Sequence, residues 1–316
     1  NAIKGFAGAF GVMSALQIGK DVFNTIKDFD KQMIAVRKTT NMTTEELALF
    51  KNEVITMGLA TKGVSIQGLA EASEIAGQLG IQGSKNILKF SKTVALLGLT
   101  SDVIGEESQR NFAKFLELST AGVEQAENVG SVLTALGNDF ATTENAILSM
   151  ALEMQRGVGV YNFSAEGLLG IASASASAGG QAEATASSIQ KITSAFNMAV
   201  ATGKGMESML KVTGLQAEEF KKLFFEDTAS LFSKYINGLD RIKKEGGNVT
   251  LMLKEQGLQN IRVEKTIGGL ISNIDNYNRS METAGEQMGL NNALQNEADI
   301  SDKSISLSKL GTSTPH

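Results

Sequence analysis

The spacing of glycine constrains the fold of this chain more than any other feature of its sequence. Glycine occurs 33 times in 316 residues, whereas proline occurs once, at Pro315. A chain that is almost free of proline and rich in helix-forming side chains is expected to be helical. Each glycine inside a helix costs about 0.5–1 kcal/mol relative to alanine, which disfavours long helices. The sequence therefore predicts an all-α fold: a compact body of many short, glycine-broken helices, flanked by longer amphipathic N- and C-terminal helices.

The charge balance indicates which partners the chain does not attract. Hydrophobic residues make up 42% of the sequence, enough to bury a core, and the formal net charge is −5. Residues 101–200 hold eleven acidic and four basic side chains. No stripe of lysine and arginine interleaved with aromatic residues is present, so we expect no specific binding of nucleic acid.

Most residue types that carry catalysis are missing. The sequence has no cysteine, and its single histidine is the last residue, His316. Ser-His-Asp and Cys-His arrangements therefore cannot be built, and neither can zinc sites of the His/Cys kind. No phosphate-binding or dinucleotide-binding glycine motif occurs. Glu144 and Glu153 are the carboxylates considered for acid–base chemistry, but capping or solvated roles account for them better. The sequence predicts no enzyme activity and no catalytic, cofactor-binding or metal-binding residue.

Residues 1–40 are predicted to form a long amphipathic helix. Its apolar stripe follows alternating steps of four and three residues: Val22, Ile26, Phe29, Met33 and Val36. This stripe packs either on the body of the same domain or on a second copy of the helix. The uncharged stretch 5–19 is shorter than the ~20 residues that a membrane-spanning helix needs. We expect it to pack tightly, with membrane contact as the alternative.

The central body, residues 41–258, carries helix start and stop signals. Thr43 and Glu46 fit a capping box ahead of apolar residues at helical spacing. Gly80 follows the last apolar position of another helix and is predicted to end it in the left-handed conformation. Thr142 is predicted to cap the start of a further helix.

A segment of small residues occupies positions 173–180, with the sequence SASASAGG. Its alternation is compatible with a strand, but no β-branched or large apolar residue supports one. We predict instead that these residues lie where two helices cross closely, and that Gly179 and Gly180 break the chain.

Residues 259–297 are predicted to form a long exit helix. Eight apolar positions follow a heptad pattern: Val263, Ile267, Leu270, Ile274, Tyr277, Met281, Ala284 and Met288. The flanking positions carry few charges and several glycines, so two interpretations stay open, an oligomeric coiled coil and packing on the domain body. Residues 298–316 are polar and are predicted to be a flexible tail or the start of a linker.

Five segments, in chain order, resemble motifs of the conserved core region of phage tail tape measure proteins. They are residues 72–81 (ASEIAGQLGI), 136–144 (LGNDFATTE), 173–192 with its paired glycines, 212–220 (VTGLQAEEF) and 258–262 (LQNIR). The resemblance covers about residues 30–265. One departure is visible, because the family often has Gly-Gly-Thr where this chain has Glu183, Ala184 and Thr185.

The resemblance implies a structural protein of the virion that takes part in tail assembly and in determining tail length. Such a protein occupies the lumen of the tail tube, is made in the host cytoplasm and leaves ahead of the DNA at infection. Its expected partners are tail tube and tail-tip proteins, a second copy through the flanking helices, and transiently the host membrane. No cofactor is implied.

The resemblance also assigns structural or interaction roles to particular residues: Gly77, Gln78, Gly80, Gly137, Asn138, Thr142, Glu144, Gly179, Gly180, Gly214, Phe220 and Arg262. Gly77 is expected to allow a close approach of two helices, and Gly137 and Asn138 to form a turn with Asn138 left-handed. Arg262 is expected either to pair with a carboxylate or a carbonyl end or to be solvated.

Two other functional classes fit parts of the sequence. The Ala/Ser/Gln-rich residues 184–196 are similar to signalling or chemoreceptor-like coiled coils. The stretch 5–19 and the small-residue segment fit a membrane-active helical protein used in genome delivery. The glycine-broken body favours neither a long rod nor a bilayer-spanning bundle.

Overall fold

A computed structural model describes residues 18–301 of the protein and the side chains of residues 26–301. Throughout this part of the chain, helices are joined by short turns and no β-strand occurs. The predicted all-α fold is confirmed. The stretch 5–19 lies outside the described residues except for its last two, and residues 302–316 of the predicted tail lie outside them as well.

The helices are mostly two to five turns long, as the glycine spacing predicts. In chain order they are α1 (Ile18–Thr40), α2 (Thr44–Ala60), α3 (Ile66–Gln78), α4 (Ser84–Thr100), α5 (Gly105–Leu118), a 3-10 turn (Val123–Gln125), α6 (Ala126–Asp139), α7 (Glu144–Val158), α8 (Ala165–Ser177), α9 (Ala182–Thr202), α10 (Met206–Thr213), α11 (Ala217–Glu226), α12 (Thr228–Lys244), α13 (Val249–Glu255), α14 (Ile261–Ser272), α15 (Ile274–Leu290) and α16 (residues 293–301).

The described residues form two compact units, each with its own core. Unit 1 comprises residues 18–113 and 293–301, and unit 2 comprises residues 114–292. This division differs from the predicted boundaries near residues 40 and 258. The reason is that the apolar faces on both sides of each predicted boundary pack together, so α1 belongs to the unit of α2–α4 and α14–α15 belong to unit 2.

Unit 1 is built around the contact of α1 with α3 and of α3 with α4. Phe29, Met33 and Val36 of the predicted α1 stripe are buried, which supports packing within the same domain. The capping box at Thr43 is present in full, with both reciprocal hydrogen bonds. Phe90 stacks on Phe112 with ring centroids 6.1 Å apart.

Unit 2 surrounds α8, the helix of small residues. Ten of its thirteen residues are buried, and it contacts α15, α7 and α6. A helix that is buried on all sides needs small side chains to let its neighbours approach. Most of the small-residue segment, residues 173–177, lies in this helix rather than in a strand, and Ser173, Ala174 and Ser175 are buried there.

The predicted exit helix is not continuous. The chain bends at Asn273, where α14 ends and α15 begins, and again after Leu290. The seam residues inside unit 2 are largely buried by it: Val263, Ile267, Leu270, Ile274, Tyr277 and Ala284 are covered, while Met281 and Met288 are half-buried. The seam therefore packs on its own domain, and the coiled-coil interpretation is wrong for these residues.

The prediction that residues 298–316 form a flexible tail or linker is wrong for residues 298–301, which belong to a helix that begins at residue 293. This helix lies in unit 1, with Leu294 and Ala298 almost fully buried. Residues 298–301 are therefore folded rather than loose, because an apolar face at helical spacing was present among the polar residues.

Two glycines that the motif analysis did not select lie at close contacts between helices in unit 2. A β-carbon at Gly238 of α12 would overlap the carbonyl oxygen of Val212, and one at Gly170 of α8 would lie 2.8 Å from the Met281 sulfur. Where α8 meets α15, the Ser280 hydroxyl donates to the Gly170 carbonyl at 2.8 Å. Both positions require glycine because a side chain would collide with a neighbouring helix; neither has a positive φ.

We expect Gly238→Ala to lower the free energy of unfolding of unit 2 by about 1–3 kcal/mol, because the added methyl must displace backbone. Gly285→Ala is the matched control: Gly285 is exposed in α15, its β-carbon position is open, and the change should stabilise by up to about 1 kcal/mol. Urea denaturation followed by helical circular dichroism measures both. A Gly238→Ala variant as stable as Gly285→Ala would contradict the close approach.

Two buried tyrosines join the helices of unit 2. The Tyr235 hydroxyl donates to Gln256 Oε1, whose amide nitrogen donates to the Ser208 hydroxyl at 3.1 Å. The Tyr277 and Ser233 hydroxyls lie 2.8 Å apart. Burial raises the pKa of both phenols well above the ordinary value near 10, and the Ser233 hydrogen bond lowers that of Tyr277 only in part.

These raised pKa values predict a loss of stability in alkali. Above about pH 10 the unfolded chain releases phenol protons that the native state retains, so the contribution is complete below that pH and falls above it. Each tyrosine should remove about 1.4 kcal/mol per pH unit. Urea denaturation of the wild type and of Tyr277→Phe between pH 8 and pH 11 should give a shallower decline for the variant; parallel curves would contradict the assignment.

Candidate interaction site

A paired-glycine turn joins α8 to α9. The Gly180 amide donates to the Ser175 carbonyl at 2.8 Å, and the Gly179 amide donates to the Ala176 carbonyl at 2.9 Å. Gly179 has φ +81, the left-handed conformation that glycine adopts without strain. The predicted break at Gly179 and Gly180 is confirmed, and its geometry is that of a Schellman motif.

Helix α9 begins immediately after this turn, and no side chain caps it. Gln181 occupies the N-cap position without a side-chain hydrogen bond. The first backbone amides of a helix have no partner within the helix, and together they carry a partial positive charge. Glu183 lies in this first turn, but its side chain is 91% exposed and extends into solvent.

Helix α14 brings two cationic side chains to the same place. Arg262 lies on its first turn, with a guanidinium nitrogen 4.0 Å from a Glu183 carboxylate oxygen. Lys265 follows on the same helix, and the Thr266 hydroxyl lies 3.0 Å from that of Ser188 on α9. The expectation that Arg262 pairs with a carboxylate is met, although both partners are exposed and such a pair contributes little to stability.

Together these elements enclose a cleft in unit 2 of about 430 Å³. Two of the sequence motifs, the paired glycines and Arg262, are about 80 residues apart in the chain and meet here. The cleft is lined by Ser175, Ala178, Gly179, Gly180, Gln181, Ala184, Thr185, Arg262, Lys265, Thr266, Gly269 and Leu270.

Sequence reasoning found only part of this cleft. Ser175 and Lys265 were not selected as candidates, although Ser175 lies in the small-residue segment. The signal for Lys265 was its spacing of three residues from Arg262, which places both side chains on one face of a helix. The spacing does not show which other helix this face contacts.

The motif residues of unit 1 lie elsewhere and have structural roles. A β-carbon at Gly77 would overlap the Thr39 hydroxyl of α1, so the predicted close approach is present. Gly80 has φ +83 and ends α3, as predicted. Gln78 is exposed, and its side-chain oxygen accepts a hydrogen bond from Arg110 at 3.0 Å.

The expectations around Gly137 need correction. Gly137 and Asn138 lie inside α6 and do not form a turn, and Asn138 is not left-handed. The N-cap of α7 is Thr143, whose hydroxyl accepts from the Ala146 amide, rather than Thr142. Glu144 does lie in the first turn, but it is buried against Gly137, where a β-carbon would overlap its carboxylate. Gly137 therefore provides space for a buried carboxylate.

The remaining motif residues shape the core of unit 2. Gly214 has φ +73 and ends α10, which confirms the predicted break. Phe220 is fully buried, and its ring packs edge-on against Phe196 with centroids 5.6 Å apart.

No cluster of three or more histidine, cysteine, aspartate or glutamate side chains in the described residues could hold a metal ion. None of the helices described combines the length and the apolar character that crossing a bilayer requires.

No protein-family model matches this sequence, and searches of curated proteins and of solved structures returned no match.

The paired-glycine turn makes a direct prediction. We expect Gly179→Ala to destabilise unit 2 by about 1–2 kcal/mol, since a side chain in the left-handed region is strained although the space around it is open. Gly179→Asn is the matched control and should cost less, because asparagine tolerates this conformation. Thermal unfolding followed by circular dichroism compares the two, and equal losses would argue against the conformational origin.

Proposed function

We propose that this chain is a structural module of a phage tail, corresponding to the core region of a tape measure protein. The observation that carries the proposal is the order of five sequence segments that resemble motifs of that region. Several of the glycines in these segments end helices or lie at close helix contacts, which gives them roles in folding rather than in chemistry.

The module acts as a docking or end piece rather than as the ruler. A continuous helix of 316 residues would reach about 470 Å at 1.5 Å per residue. The longest described helix, α1, has 23 residues and spans only about 35 Å. Length measurement requires an extended segment, so in this proposal the ruler lies in sequence beyond the two units and is joined to them.

The proposed partners are tail tube and tail-tip proteins in the lumen of the tail tube. A second copy bound through the heptad seam is not part of the proposal, because unit 2 covers that seam itself. The signalling-rod alternative rests on residues 184–196. These residues lie in α9, a helix of 21 residues whose Ile189, Ile192 and Phe196 are buried, so they do not favour an extended rod.

The location is tested on purified phage particles from a strain whose genome encodes this chain. Mass spectrometry should detect peptides from both units in the particles, and a gold label on an exposed site such as Lys234 should lie within the tail under the electron microscope. Absence of the chain from particles with intact tails would overturn the proposal.

The division between module and ruler is tested by measuring tail length. Gly238→Ala should reduce the number of assembled tails without shortening those that form, whereas Gly285→Ala should leave both number and length unchanged. Removing 22 residues from a helical segment outside the two units should shorten the tail by about 33 Å. Tails that shorten in proportion to residues removed from unit 2 would contradict the assignment.

A further inference from the structure

Helices α1 and α2 run back alongside each other in unit 1. A turn of three residues joins them, and Lys51 Nζ lies 2.6 Å from an Asp30 carboxylate oxygen. Asp30 lies about 15 Å before the end of α1, and Lys51 about 10 Å after the start of α2. Two side chains can meet so far from the turn only if the helices are antiparallel. Residues of α1 and α2 whose numbers add up to about 81, as 30 and 51 do, therefore lie at the same level.

The outer side of α1, opposite its buried stripe, carries positive charge around an apolar residue. Ile34 is 51% exposed there. The lysines beside it are exposed, and none of them has a carboxylate partner among residues 26–301. Asp30, which borders them, is neutralised by Lys51. This basic face consists of four residues that line one groove on α1: Lys27, Lys31, Ile34 and Lys38.

The outer side of α2 carries the opposite charge around exposed leucines. Leu49 is 66% exposed and Leu59 is 57% exposed. Glu45 and Glu53 lie one turn before and one turn after Leu49, and neither has a cationic partner in the part of the chain that the structure describes. This acidic face consists of Glu45, Leu49, Glu53 and Leu59.

A basic helix beside an antiparallel acidic helix is complementary to a second copy of itself. A two-fold axis that runs between the helices and parallel to them places α1 of each copy on α2 of the other. The rotation leaves the level along the helices unchanged, so residues at the same level meet. Three pairs then face each other across the two copies, and their numbers add up to between 80 and 83: Lys27 with Glu53, Ile34 with Leu49, and Lys38 with Glu45.

The size and the charge pattern of this surface favour a weak dimer over other occupants. Two helices about 25 Å long and about 10 Å wide offer about 500 Å² on each copy. The total of about 1,000 Å² is at the low end of specific protein interfaces. A lipid surface or a nucleic acid presents negative charge alone, which suits the basic face and repels the acidic one.

We propose that this chain forms a two-fold symmetric dimer, in which the basic face of α1 in each copy binds the acidic face of α2 in the other. The contact uses the side of α1 opposite its buried stripe, and it leaves the heptad seam of unit 2 covered. The inference goes beyond the proposed role in the phage tail and does not depend on it.

Sedimentation equilibrium of the full chain tests the association. The chain should show a reversible equilibrium between monomer and dimer, with no larger species, and added salt should weaken it. The double variant Lys27→Glu/Lys38→Glu should raise the dissociation constant at least about tenfold, because glutamates then face glutamates. Lys191→Glu is the matched control: it reverses an exposed lysine of unit 2 that has no carboxylate partner among the described residues, and it should leave the equilibrium unchanged.

A mixing experiment separates recognition from folding. The variant Glu45→Lys/Glu53→Lys should also be monomeric by itself, since lysines then face lysines. An equimolar mixture of the two double variants should form heterodimers, because every facing pair again has opposite charges. Each variant should keep the helical circular dichroism of the wild type.

Four results would overturn the proposal. The first is a wild type that remains monomeric at every concentration. The second is a dimer that the charge reversals do not weaken. The third is growth beyond the dimer, which would indicate an open head-to-tail contact instead of a two-fold one. The fourth is a mixture of the two folded variants that forms no heterodimer.

Discussion

The structure of unit 2 depends on how closely backbones can approach α8. This helix is buried on nearly every side, and the side chains that it offers are mainly alanine, serine and glycine. At Gly170 the Ser280 hydroxyl donates to the backbone carbonyl, and a β-carbon would lie only 2.8 Å from the Met281 sulfur. Larger residues at these positions would push α15 away and open the core that Tyr277 fills. The glycines of this chain therefore have two different roles: some end helices, and others allow two helices to pack closely.

The close packing of α8 also explains the arrangement of the cleft. Because α8 is short and ends in a Schellman turn, its C-terminal end meets the uncapped start of α9 at the edge of the unit. Helix α14 crosses nearby, and Gly269 approaches Ala178 to a distance at which a β-carbon would be in ordinary contact, 3.7 Å. Arg262 and Lys265 are carried to this edge by the same packing that buries Ile267 and Leu270 of α14. The cleft thus follows from how three helices end or cross.

Local patterns in the sequence predicted a large part of the fold. Several local signals were readable, because each depends on residues within one or two turns. They are the capping box at Thr43, the left-handed end at Gly80, the break at Gly179 and Gly180, and the apolar stripe of α1. Errors arose where a local pattern had two interpretations. Gly137 was expected in a turn, yet it lies inside α6, because a glycine that provides space for Glu144 resembles a glycine that ends a helix.

The sequence by itself determined that the chain is helical, where some of its helices begin or end, as at Thr43, Gly80 and Gly179, and which residues of α1 form its apolar face. It also determined the shortage of residues from which common catalytic and metal sites are made. The tertiary structure alone decided that the heptad positions of α14 and α15 are used within unit 2, that residues 293–301 join unit 1, and that Ser175 and Lys265 share a cleft. Short-range spacing sets the conformation of each segment, whereas the partner of an apolar face depends on contacts between residues far apart in the chain. Such contacts leave no fixed spacing in the sequence from which they could be read.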